Sequence, residues 1–212
     1  MLNKFKSFLS TDVETENLRL VNNRPWQCAF TLFNHRETLE QKEYWIWWPD
    51  LKMSEGAARV TKFDWDAYER KANPKYGAPT AYLPEDFLDD FERYVYDPEV
   101  AVIGQNWLCF DAYVVGSLQI SLGRKADFSY LTKLYDTSLI CKGLKLDKKP
   151  DLDDMLAWQY KLYNEKAKVK TNLKLLATEY GVPYDEERHH AEAIYDTELT
   201  AGVFNKIKYV LQ

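Results

Sequence analysis

The sequence predicts an α/β protein, a mixed sheet flanked by helices, on three observations. The first 48 residues hold three runs rich in aromatic and β-compatible residues, separated by polar stretches. From residue 84 onward apolar residues recur mostly at helical spacing. One run interrupts that half, Val100-Ala101-Val102-Ile103-Gly104, which is short, wholly apolar and suited to a strand covered on both faces. Strands first and helices afterwards place helices against a sheet.

The opening run, 4–14, ends in two carboxylates one residue apart. In a strand, residues i and i+2 point to the same side, so Asp12 and Glu14 project together while Val13 turns to the core. Two carboxylates side by side repel unless a cation lies between them. Residues 15–25 are polar, with Asn17, Asn22 and Asn23, and read as a loop. A second strand is expected over 26–33, a polar turn over 34–42 and a third strand over 43–48, ended by Pro49 and completing an antiparallel meander. Residues 50–82 contain Gly56, Pro74, Gly77 and Pro79 and read as a loop-rich insertion with one or two short helices.

Over 84–95, Pro84 suits the first turn, and Phe87, Leu88, Phe91, Tyr94 and Val95 share a face, which predicts a helix. The strand at 100–104 runs into a helix over 110–122, stopped by Gly123. Further helices are expected around 136–142, over 151–168, over 173–180 and over 191–210; Thr171 or Asn172 caps the third of these and Gly181 ends it. No internal repeat divides the 212 residues, a length that suits one domain.

A net charge of -5 gives no overall basic field, so any contact with nucleic acid must be local. Cys28, Cys109 and Cys141 are odd in number and far apart, which points away from a disulfide framework or a zinc ribbon and toward the reduced thiols of a cytoplasmic protein. No apolar run approaches about 18 residues, so a soluble protein without a membrane segment is expected.

Three blocks carry chemistry. Asp-x-Glu also occurs at Asp97-Pro98-Glu99 and Asp185-Glu186-Glu187, and what sets Asp12 and Glu14 apart is their place at the end of a core strand. Asp111 falls in the first turn of a helix that follows a strand tip. Capping and the helix dipole account for an acid there, and strand tips are also where sheet-based active sites collect. The third block is Arg188-His189-His190-Ala191-Glu192-Ala193-Ile194-Tyr195-Asp196, which holds two of the three histidines.

In this order the blocks resemble the DEDD family of 3′-to-5′ exonucleases, whose fold is ribonuclease H-like. Asp12-Val13-Glu14-Thr15 is similar to the first motif, and Gly104-Gln105-Asn106 through Phe110-Asp111 to the second in its longer-spaced form. Leu173-Lys174-Leu175-Leu176-Ala177 with Tyr180-Gly181-Val182-Pro183 is similar to the lead into the third, and Tyr135-Asp136-Thr137 lies where the family often has an Asp-Thr pair. One branch has a Tyr four residues before the last Asp, a position held here by Glu192. The other has a His five before it, held here by Ala191, so the chain departs by one residue if His190 serves and by two if His189 does.

The resemblance implies a ribonuclease H-like mixed sheet, an antiparallel meander plus parallel strands. It implies that Asp12, Glu14, Asp111 and Asp196 hold two divalent cations, Mg²⁺ or Mn²⁺, which activate a water and stabilise the attacking and leaving oxygens. His190, with His189 as the alternative, would be the general base. Thr15 and Asn106 would contact the terminal nucleotide, and Trp107 and Phe110 would stack on or wedge beside its base unless they are core residues. The expected substrate is single-stranded DNA or a DNA 3′ end, released as nucleoside 5′-monophosphates. RNA is the alternative substrate, and a catalytically silent nucleic-acid-binding module the alternative role.

Overall fold

Six strands form one mixed sheet in the order β4-β3-β2-β1-β5-β6. They are β1 (Ser7–Thr15), β2 (Pro25–Phe33), β3 (Thr38–Ile46), β4 (Ala81–Tyr82), β5 (Val100–Gly104) and β6 (Leu134–Asp136). The computed structural model describes residues 2–188 and 192–211. β1 pairs antiparallel with β2 and parallel with β5, β5 with β6 in parallel, and β3 with β2 antiparallel and with β4 in parallel. Only β2 runs against the others, so the mixed sheet flanked by helices is as the sequence predicts.

The alternation of side chains along β1 and β2 separates the two faces of the sheet. Phe8 and Phe33 lie on one face, against Phe204 of α8 (Ala193–Ile207), with ring centroids 5.3 and 6.5 Å away. Phe30 and Tyr44 lie on the other, against Tyr94 and Phe87 of α3 (Pro84–Val95). α4 (Asp111–Ser121) follows β5, and α5 (Thr137–Lys145), α6 (Met155–Tyr163) and α7 (Leu173–Glu179) follow β6. β6 is an edge strand, and Gln159 of α6 covers it: its Oε1 accepts from Asp136 N–H at 2.7 Å and its Nε2 donates to the Leu134 carbonyl at 3.0 Å.

The bounds of two elements are corrected, and two short strands are unmarked in the sequence. β3 starts at Thr38 rather than 43, because its first half is a solvent-facing strand whose polar residues look like a turn. β6 matches no expected element; it is three buried residues, and the helix expected around 136–142 follows it directly as α5, with Asp136 as the N-cap. The helix expected over 151–168 spans only Met155–Tyr163, leaving 164–172 without helix or strand. Residues 50–82 carry two short helices, α1 (Glu55–Thr61) and α2 (Trp65–Ala72), as expected, together with the unexpected strand β4 and apolar packing of their own. Leu51, Tyr68 and Ala72 bury Trp26 and Trp45 of the sheet in a second cluster. All three cysteines are free. Among the described residues, no helix is long and apolar enough to cross a membrane.

Candidate functional site

The last pair between β1 and β5 is Ser10↔Ile103. Beyond it β1 continues to Thr15 while the chain leaves β5 and turns away, which opens a gap beside Asp12 and Glu14. Phe8, Ser10, Asp12 and Glu14 form one row along the face of β1 that α8 covers. Opposite Phe8 is Phe204; Ser10 Oγ donates to the Thr197 carbonyl at 2.9 Å; and Thr31 Oγ1 lies 2.7 Å from Thr197 Oγ1. These contacts fix the register of α8 on the sheet, and with it Asp196 in the helix's first turn. Carboxylate oxygens of Asp12, Glu14 and Asp196 all lie within 4.8 Å of one another.

Asp111, 6% exposed at the start of α4, stands outside that trio but within electrostatic reach of it. Burial pushes the Asp12 carboxyl well above the usual range, and the charge of Asp196 adds to it. Burial, then Asp12, Asp196 and Asp111, push Glu14 up, and burial followed by Asp12 does the same to Asp111. Bare, such a cluster is relieved by protons or by a cation. Its donors are all carboxylate oxygens, which suit a hard divalent ion, so Asp12, Glu14 and Asp196 form a group that could hold one.

The route from β5 to Asp111 is fixed by Asp136, a fully buried side chain at the end of β6. Its carboxylate accepts from the backbone N–H groups of Asn106, Leu108, Ser138 and Leu139 at 3.0, 3.1, 3.0 and 3.3 Å. Burial pushes its pKa up to about 6 against those four donors. Gly104 is required where this loop begins, since a Cβ there would lie 2.3 Å from Trp107 Cβ. Asn106 then takes a left-handed conformation at φ 62°, one that asparagine tolerates better than most residues.

The carboxylates face a cleft of about 520 Å³ also lined by Thr15, Leu18, Val60, Asn106, Phe110 and Asn172. Of the expected nucleotide contacts, Phe110 is half-buried on the wall and Asn106 is exposed at the rim. Thr15 is buried, and its hydroxyl donates to the Asn17 carbonyl at 2.7 Å, closing the turn after β1. The expectation for Trp107 is corrected: it is 0% exposed, stacks on Phe91 and donates from Nε1 to Tyr130 Oη, so it has no face to offer a base. Leu18 and Val60, 58% and 44% exposed, supply apolar wall that no motif in the sequence marks. His189 and His190 lie outside the described residues. The segment just before them is held by Tyr195 Oη, which accepts from Asp185 N–H at 2.6 Å, and by Arg188, 4.3 Å over the Tyr195 ring and 2.9 Å from Glu192.

The strand order, the single reversed strand and the helix laid across the central strand define a ribonuclease H-like α/β fold. Solved structures with that fold include E. coli exonuclease I in complex with a dT13 oligonucleotide, at a TM-score of 0.69 and 16% identity over 96% of this chain and 41% of that one. The zinc-bound exonuclease I–single-stranded DNA complex matches at a TM-score of 0.69 and 14% identity over 97% of this chain and 42% of the other. The apo enzyme matches at 0.65 and 15% over 97% and 42%. The chain thus spans less than half the length of the exonuclease I chains it matches, and identity this low speaks to the fold alone. No protein-family model matches the chain, and no curated protein matches it.

Proposed function

We propose that this chain is a metal-dependent 3′-to-5′ exonuclease that releases nucleoside 5′-monophosphates from DNA 3′ ends. The observation that carries the reading is the meeting of Asp12, Glu14 and Asp196, from a central strand and the helix laid across it, at the floor of an open cleft. That the fold neighbours are described with single-stranded DNA agrees with it. Asp12, Glu14, Asp196 and Asp111 would hold two divalent cations, Mg²⁺ or Mn²⁺, which supply a reactive water and offset charge on the scissile phosphate.

The chain's own groups do the rest. His190, or else His189, takes the proton of the attacking water as general base. Phe110, Leu18 and Val60 give the terminal base apolar surface to lie against, and Asn106 offers its amide at the rim. Asp136 acts at one remove: by binding the N–H groups of the 105–109 loop it sets where Asp111 and Phe110 stand. The whole chain is read as one exonuclease domain, with α1 of the 50–82 insertion forming part of the cleft wall.

The test uses 5′-labelled DNA and RNA oligonucleotides with Mg²⁺ or Mn²⁺, comparing wild type with Asp12→Ala and Asp196→Ala. A ladder that shortens from the 3′ end with the wild type alone is expected, and it fails with EDTA. Equal behaviour of all three proteins overturns the reading, and the DNA-to-RNA rate ratio assigns the substrate.

A further inference from the structure

We infer that Lys166, Lys168 and Lys170 form a phosphate track that carries the upstream part of a single nucleic-acid strand into the cleft; this rests on the cleft being the exonuclease site proposed above. Residues 164–172 join α6 to α7 without helix or strand, and exposure alternates along them. Lys166, Lys168 and Lys170 are exposed, whereas Ala167, Val169 and Thr171 are half-buried. The row is bent rather than straight, with Val169 N–H donating to the Ala167 carbonyl at 3.1 Å in a three-residue turn at Lys168, and the long, flexible lysine stems let the three ammonium groups follow a single strand along it.

The backing of the segment is fixed. Lys142 Nζ donates to the Glu165 carbonyl at 2.9 Å, Lys145 Nζ to the Lys170 carbonyl at 3.0 Å, and Gln105 Nε2 to the Thr171 carbonyl at 2.6 Å. The Thr171 hydroxyl lies 2.8 Å from Ser138 Oγ. The lysines nearby are thus committed: Lys142 and Lys145 to this backbone, and Lys145, Lys148 and Lys174 to Glu179, Glu165 and Glu186. Among the described residues, the ammonium groups of Lys166, Lys168 and Lys170 have neither an ion pair nor a hydrogen bond. The strip also has a direction, because Thr171 and Asn172 at its end line the carboxylate cleft.

Charge selects the occupant. The chain carries -5 overall, and its cleft concentrates carboxylates, so a polyanion is repelled except where cations are set out for it. Lysine ammonium groups neutralise phosphates without reading bases, which suits an enzyme that shortens strands of any sequence. An acidic peptide would meet the same lysines but has no phosphate to place at the carboxylate end of the strip.

The experiment measures anisotropy of 5′-fluorescein oligo(dT), three and twelve nucleotides long, in Ca²⁺, for the full chain, K166Q/K168Q/K170Q, and the control K125Q/K149Q/K206Q. Three phosphate contacts on a single strand contribute about 2 to the slope of log K against log salt. Raising NaCl from about 50 to about 200 mM should therefore weaken the twelve-mer's binding to wild type and control by about 20-fold more than its binding to the triple variant. The triple variant should lose the gain in affinity from three to twelve nucleotides and, in parallel reactions with Mg²⁺ in place of Ca²⁺, keep wild-type cleavage of the trimer. Unchanged salt slope and length dependence in the triple variant overturn the track, as does displacement of the twelve-mer by poly-L-glutamate as readily as by unlabelled oligo(dT) of equal charge. Binding is read without cleavage, so a wild type that binds along the strip but cleaves neither oligonucleotide sinks the exonuclease reading and leaves the track standing.

Discussion

Along one face of β1 the side chains pass from apolar to hydroxyl to charged, Phe8, Ser10, Asp12, Glu14, and the residues of α8 that meet them change in step from Phe204 to Thr197 to Asp196. The charged end of this row opposes folding when bare. Asp12, Glu14 and Asp111 have pKa values raised above those of the unfolded chain, so the native state binds more protons. Stability of the metal-free protein therefore falls as pH rises past about 4 and through the raised values. Asp12→Asn removes part of that repulsion. At pH 8 in EDTA it should melt higher than wild type, by about 2–4 °C for relief on the order of 1 kcal/mol, while the rise in melting temperature on adding Mn²⁺ disappears. A variant that melts lower in EDTA and keeps the Mn²⁺ response would show that these oxygens hold no ion. The pairing of Asp12 with Glu14 follows from their spacing and was legible in the sequence. The burial of Trp107 was not, because it depends on Phe91 and Tyr130, neighbours that only the fold supplies.

At the level of elements, legibility tracks how local the cause is. α3 and β5 have the bounds that periodicity and apolar run predict, since their own residues decide them. β6 escaped because three residues leave no pattern; its strand character comes from β5 on one side and Gln159 on the other. The connection from β5 to α4 was equally hidden, although Asp136 was marked by its place beside Thr137. Asp136→Ala would leave the N–H groups of Asn106, Leu108, Ser138 and Leu139 without their acceptor. A loss of about 3 kcal/mol in urea unfolding is expected, with the proposed nuclease activity falling further than stability alone requires as Asp111 loses its placement. Asp136→Asn, which keeps one acceptor oxygen, should lose less of both. An Asp136→Ala protein that unfolds at the wild-type urea midpoint would remove this residue from the account.

Across the whole molecule, the carboxylates come from residues 12, 14, 111 and 196, and the hydrogen bond that registers α8 on β1 joins residues 187 apart in sequence. The four carboxylates themselves span residues 12–196 of the 212. Contacts of such separation form late, after the loop entropy of the intervening chain has been overcome. On the proposed reading the chain would form its aromatic sheet before it could coordinate an ion, and metal binding would report the last step of assembly. In refolding from urea with Mn²⁺ present, quenching by the ion should lag behind recovery of tryptophan fluorescence, whereas coincident phases would mean that α8 docks with the sheet from the outset. In such an interval Asp12 and Glu14 would stand uncovered on β1, and the cost of drying two carboxylates would hold water against the face that α8 later covers.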